Sequence, residues 1–180
     1  MNGELDFEQA LRARVALLEG QPESIIDQAL KTRIFFTAGG AELVATMKSN
    51  GAYTALISGG FTAFTQPVSQ YLGFHEHHAN QLLVDQGLVT GQVSDPILGQ
   101  QAKVEALERL IAQLSITAQD VLAVGDGAND LGMLQRAGSG VALHAKPSVA
   151  AQCDIRINHG DLTALLFLQG YPRSAFRNGV

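Results

Sequence analysis

Cysteine is nearly absent: Cys153 is the single one in 180 residues. An internal disulfide framework is therefore excluded, and one thiol suits a reducing compartment, the cytoplasm. Cys153 lies beside a predicted strand, which reads as a buried, inert position. Apolar runs of 18 or more residues are missing, and no signal peptide opens the chain, so no membrane segment is expected. Positive charge is also scarce, with 12 Lys and Arg against 17 Asp and Glu, a net charge of −5. That balance argues against electrostatic binding to nucleic acid or anionic lipid. No repeat or low-complexity tract is present. What the chain does have is apolar material, 46% of residues against 16% charged, enough for a core.

The chain is organised around Val121-Leu122-Ala123-Val124-Gly125-Asp126-Gly127-Ala128-Asn129-Asp130. An apolar run entering a glycine-flanked carboxylate reads as a buried parallel strand ending at a loop. Asp126 would project from the strand's carboxyl end, where open α/β sheets place ligands. Asp130 follows at the start of a helical pattern, where a carboxylate favours the helix N-terminus and can hold a metal-bound water or a neighbouring lysine. Two acids converging on one point need a cation between them, and hard oxygen ligands suit Mg²⁺.

In chain order, Phe7, Leu11, Val15 and Leu18 form the apolar stripe of a first helix, with Arg12 and Arg14 off the stripe. Gly20 ends it, and Pro22 opens a second helix to about Leu30. Thr32 to Thr37 reads as a connector or short strand. A helix over 41–50 leads to a strand from Tyr53 to Ile57, then to Ser58-Gly59-Gly60-Phe61. A hydroxyl followed by two glycines, between a strand end and a helix, makes an anion site from backbone N–H groups and the serine. Phe61 to Leu72 is predicted helical, with Pro67 kinking it or marking its start. Phe74-His75-Glu76-His77-His78 lacks a second ligand cluster and reads as a surface loop rather than a metal site. Gln81 to Val84 and Leu88 to Val93 flank Asp85-Gln86-Gly87 as a hairpin. Lys103 opens a helix to Leu114. Its charge opposes the helix dipole, so it is either solvated or held there for an anion. Gly140 to Leu143 and Asp154 to Ile157 are short strands, Leu162 to Leu168 a closing helix, and the tail from Gly170 reads as loosely ordered. This strand–helix alternation predicts an α/β fold with a parallel sheet covered on both faces.

Gly125-Asp126-Gly127-Ala128-Asn129-Asp130 resembles the fourth motif of the haloacid dehalogenase-like (HAD) phosphatases. P-type ATPases share that motif, but they need a membrane domain. Ser58 resembles the second motif and Lys103 the third. The chain resembles the phosphoserine phosphatases more closely still. Met1-Asn2-Gly3-Glu4-Leu5-Asp6-Phe7 with Leu11-Arg12-Ala13-Arg14-Val15 looks like their cap segment. Ile57-Ser58-Gly59-Gly60-Phe61 and His144-Ala145-Lys146-Pro147 look like stretches of their core. The resemblance implies a partial helical cap over 1–37, a HAD-like Rossmannoid core over 38–180, and a β-hairpin. It implies Mg²⁺-dependent hydrolysis of O-phosphoserine in serine biosynthesis. Carried over residue by residue, Arg14 would pair with the substrate carboxylate and Phe7 would pack on the substrate. Ser58 and the Gly59 N–H would bind phosphoryl oxygens, and Lys103 would neutralise the phosphate. Asp126 would ligate Mg²⁺, with Asn129 and Asp130 fixing that ligand and the nearby lysine.

The family's nucleophile and general acid belong to a D-x-D-x-T/V motif on the first strand, which is central in its sheet. No D-x-D occurs in these 180 residues. Asp6 lies in the cap match without a strand before it and cannot stand in. The resemblance therefore implies a sheet without its central strand and a chain inactive alone. Three arrangements stay open: a fragment of an ordinary phosphatase, a catalytically dead relative that binds phosphate or Mg²⁺, or a gap filled by Ile34-Phe35-Phe36 or by a partner chain in a homo-oligomer. A phosphatase for another small phosphomonoester is the nearest enzymatic alternative.

Overall fold

A computed structural model of the chain describes residues 2–179, with side chains over 7–179. The cap resemblance at Met1 and in the side chains of residues 2–6 lies outside the described residues. The chain divides into two compact units, residues 1–97 with 161–180, and residues 98–160.

The first unit begins with helices α1 (Asn2–Ala16), α2 (Ser24–Arg33) and α3 (Gly40–Ser49). It continues with strand β1 (Ala55–Phe61), helix α4 (Thr62–Leu72), strand β2 (Glu76–Asn80) and a hairpin of β3 (Leu82–Asp85) and β4 (Leu88–Val93). The four-residue spacing of Phe7, Leu11 and Val15 places all three on the buried side of α1. There they pack with Val93, Ile97, Phe61 and Leu82. Full burial of a side chain such as Val15, 1% exposed, contributes about 1.5–3 kcal/mol. Gln86 and Gly87 both take positive φ (48° and 78°), the signature of the tight turn whose twist matches a hairpin. After α1 the backbone extends that hairpin: Gly20 N–H donates to the Val89 carbonyl, and Val89 N–H to that of Gln21.

Phe74–His78 is not a surface loop, because Glu76–Asn80 forms β2, parallel to β1 with Ala55 opposite Glu76 and Ile57 opposite His78. Its polar side chains are satisfied locally: Tyr53 Oη donates to Glu76 at 3.0 Å, and His77 meets Thr65 at 3.0 Å. Ile34-Phe35-Phe36 fills no gap in a sheet. It joins no strand, Phe35 is 83% exposed, and Phe36 stacks on Tyr71. Pro67 lies inside α4 rather than at its start.

The second unit holds α5 (Gln100–Leu114), β5 (Leu122–Gly125), α6 (Leu131–Arg136), β6 (Ser139–Leu143), α7 (Pro147–Ala150) and β7 (Ile155–Ile157). Its strands form a parallel sheet in the order β5-β6-β7. Ala123, Leu134, Ala142, Val149 and Cys153 pack together as its core, so Cys153 is buried as read. Before β5, Thr117 and Asp120 cap a short turn reciprocally. The backbone and side-chain hydrogen bonds from Thr117 hold the Asp120 carboxyl below its usual range. Among the described residues, β5 pairs only with β6 and β1 only with β2, so each keeps one unpaired edge.

The chain returns to the first unit through Asp161 and helix α8 (Ala164–Leu168), where Leu165 and Leu166 are fully buried. Gly39, at φ 78°, sits against this segment: a Cβ there would lie 2.7 Å from the Thr163 nitrogen. The tail is ordered, contrary to the reading from composition. Phe176 packs on Phe167 with ring centroids 5.0 Å apart, and Arg177 N–H donates to Thr46 Oγ1 at 2.8 Å. No helix among the described residues is long and apolar enough to cross a membrane.

Candidate active site

The predicted residues fall into clusters, each built within one unit. In the second unit β5 ends at Gly125, and the chain passes through a single turn over Ala128–Asp130 into α6. Asp130 is 4% exposed, and its carboxylate organises the loop. Oδ2 accepts the N–H of Asp126 at 3.1 Å and of Gly127 at 2.9 Å, while Oδ1 accepts Lys103 Nζ. A Cβ on residue 125 would lie 2.4 Å from Asp130 Cβ, so the glycine is what lets the carboxylate fold beneath the strand end. Asn129 packs against the same loop, its Oδ1 2.5 Å from where a Cβ on Gly127 would stand.

Lys103 is buried in the first turn of α5, which begins three residues earlier than expected. Burial excludes the merely solvated alternative. Asp130 supplies the counter-charge that the helix dipole denies this lysine. The two acids of the motif have different surroundings. Asp130 is committed to Lys103 and two backbone amides, and Asp126 is exposed at the carboxyl end of the strand. The Asp126 carbonyl accepts the N–H of Lys146 at 3.3 Å, which brings His144-Ala145-Lys146-Pro147 beside the same loop.

No cluster of three or more His, Cys, Asp or Glu side chains suited to a metal exists among the described residues. An exposed Asp126 still fits Mg²⁺, which is commonly held by one or two carboxylates with waters and substrate phosphate completing the shell.

The serine turn belongs to the first unit. Ile57 pairs with His78 and Phe61 with Asn80, so three residues of β1 face the single residue Ala79. The surplus makes a bulge that lifts Ser58-Gly59-Gly60 off the ladder. Ser58 Oγ accepts the Gly60 N–H at 3.0 Å, and Asn80 Nδ2 donates to the Gly59 carbonyl at 3.0 Å. Asn80 is 2% exposed. Nothing in its spacing marked it, because the polar segment before it reads as a loop.

Phe7 and Arg14 lie on α1. Phe7 is half-buried and packs on the α1–hairpin core. Arg14 is exposed, while its neighbour Arg12 pairs with Asp95.

The model of the haloacid dehalogenase-like hydrolase family matches residues 1–135. A phosphoserine phosphatase of Haemophilus influenzae is 43% identical over 168 residues, 93% of this chain and 53% of that protein. One from Methanocaldococcus jannaschii is 40% identical over 166 residues, 92% of this chain and 78% of that protein. A phosphoserine phosphatase solved with substrate bound superposes with a TM-score of 0.86 at 39% identity, covering 93% of this chain and 80% of that one. The chain thus spans about half the length of the Haemophilus relative and more of the other two. With matches of this extent, the chain belongs to the haloacid dehalogenase-like hydrolase family, and the relatives it resembles over most of its length are phosphoserine phosphatases.

Proposed function

We propose that this chain handles the phosphoryl group of O-phosphoserine, as part of an Mg²⁺-dependent phosphoserine phosphatase that works in cytoplasmic serine biosynthesis. The observation that carries the reading is the buried Lys103–Asp130 pair beneath an exposed Asp126. Asp130 supplies the counter-charge to this desolvated lysine, and the remaining N–H bonds of Lys103 would serve a phosphoryl oxygen.

In this reading Ser58 donates its hydroxyl, and Gly59 its N–H, to the phosphoryl oxygens. Lys103 offsets the negative charge that gathers on those oxygens during transfer. Asp130 and Asn129 hold the loop so that Asp126 keeps one orientation. Asp126 would ligate Mg²⁺, which when bound would further neutralise the phosphoryl oxygens. Arg14 takes the substrate carboxylate in bidentate fashion, and Phe7 shields the substrate from water. The division into a cap over 1–37 and a core over 38–180 belongs to the same proposal.

The 180 residues contain no D-x-D to supply an attacking aspartate and its acid partner. That observation favours a second reading, in which the chain binds phosphate and Mg²⁺ without turnover.

Substrate class is tested by competition. Phosphoserine and phosphoethanolamine, which lacks the carboxylate, are titrated against the chain and its Arg14→Ala variant. Loss of a charge-assisted bond of about 1.5–3 kcal/mol weakens phosphoserine tenfold or more and leaves phosphoethanolamine unchanged. Equal weakening of both ligands contradicts the role given to Arg14.

A further inference from the structure

We infer that Asn80 is a positioning residue for the Ser58 hydroxyl, acting through the peptide between Gly59 and Gly60. The inference rests on the proposal that Ser58-Gly59-Gly60 binds a phosphoryl group.

A bulge removes the ladder partners that would otherwise fix the backbone of Ser58, Gly59 and Gly60. Two glycines in succession leave that backbone unusually free to rotate. Two hydrogen bonds replace the lost restraint, and they meet on one peptide group. Asn80 Nδ2 holds the Gly59 carbonyl at 3.0 Å, and the Gly60 N–H points to Ser58 Oγ at 3.0 Å. A trans peptide is planar, so its C=O and N–H point in opposite directions. Fixing the oxygen at one end therefore fixes the direction of the hydrogen at the other. The chain of contacts runs from the Asn80 amide to the Gly59 carbonyl, across the peptide plane to the Gly60 N–H, and on to Ser58 Oγ. With an Oγ lone pair engaged by Gly60, the hydroxyl hydrogen is directed away and left to donate to an anion.

Asn80 suits this task because strand pairing and burial both fix its place. Its backbone is set opposite Phe61 in the β1–β2 register, and its side chain is 2% exposed. A buried amide is costly unless its hydrogen bonds are made, which makes the bond to Gly59 hard to exchange for water.

The test uses the isotope-labelled 180-residue chain and inorganic phosphate, followed by NMR. In the unaltered protein, the Gly59 and Gly60 amide signals and the Asn80 side-chain NH₂ signals shift together and saturate at one concentration. Asn80→Asp keeps the shape but turns the donor into an acceptor, and Asn80→Ala removes it. Each weakens phosphate binding about tenfold, the worth of a hydrogen bond to a positioned group. Val44→Ala, a buried change on α3, lowers thermal stability without changing phosphate affinity, which separates positioning from general loosening. The inference is overturned if the Gly59 and Gly60 signals respond while the Asn80 NH₂ signals do not. Asn80→Asp binding phosphate as tightly as the unaltered chain would also overturn it. A chain whose Gly59 and Gly60 signals ignore phosphate removes the phosphate reading and the inference with it. Should the Asn80 variants fail to fold, the signals of the unaltered protein alone decide.

Discussion

Lys103 and Asp130, 27 residues apart in sequence, form an ion pair with side chains only 10% and 5% exposed. The pair joins the first turn of α5 to the start of α6, and the same carboxylate holds the backbone of the Asp126 loop. One charge therefore serves the fold and the candidate site together.

Breaking this pair should be costly from either side. Lys103→Met or Asp130→Leu leaves an uncompensated buried charge and should lower stability by about 3–5 kcal/mol. The double variant should lose much less than the sum, since it buries no unpaired ion. Denaturant unfolding of the four proteins measures this directly. Additive losses would contradict the pairing.

Gly125→Ala should displace the Asp130 carboxylate. A Cβ 2.4 Å from Asp130 Cβ cannot be accommodated without movement of the loop, at a cost of about 1–3 kcal/mol. The expected result is a lowered unfolding midpoint with altered amide signals at Asp126 and Gly127. An unchanged midpoint with unchanged signals would count against the packing.

A pH effect follows from Asp161. Its side chain accepts the hydroxyl and, at 2.8 Å, the backbone N–H of Thr163, which together hold its carboxyl below the usual range. A lowered carboxyl stabilises the fold above the unfolded value of 3.8, and that contribution is lost as pH falls through the folded value. Asp161→Ala should lower stability near pH 7. Stability curves of the two proteins should converge as the medium is acidified past the carboxylate range. A gap independent of pH would contradict this account.

Much of the architecture was readable from pattern. The stripe of Phe7, Leu11 and Val15 marked its buried face because helical spacing and burial coincide there. Gly87 marked the hairpin because the turn needs positive φ. The strand ending at Gly125 was visible as an apolar run meeting a glycine. β2 was hidden, since Glu76-His77-His78-Ala79-Asn80 gains its place from hydrogen bonds to Tyr53, Thr65 and Gly59 rather than from apolar alternation. The tail was misread because Phe176 and Arg177 dock on partners distant in sequence, which composition does not register. Whether Lys103 is solvated or held for an anion is not written in its local spacing, because its partner in burial, Asp130, lies 27 residues away.

Turnover by the 180 residues should be negligible. Removing a covalent nucleophile costs on the order of 10⁶-fold, and no D-x-D is present to provide one. Phosphate release from phosphoserine with Mg²⁺ present measures it. Robust release that disappears in Asp126→Asn would show that another group attacks.

The most direct test of the proposal, which gives a phosphoryl group to Ser58 and to Lys103 and a divalent ion to Asp126, is a thermal melt with Mg²⁺ and phosphoserine. At about 100 times the dissociation constant, binding adds about 2.7 kcal/mol to the folded state. The midpoint should rise with both ligands, lose its Mg²⁺-dependent part in Asp126→Asn, and fail to respond to phosphoserine in Ser58→Ala. A midpoint that stays fixed at saturating Mg²⁺ and phosphoserine would contradict the account.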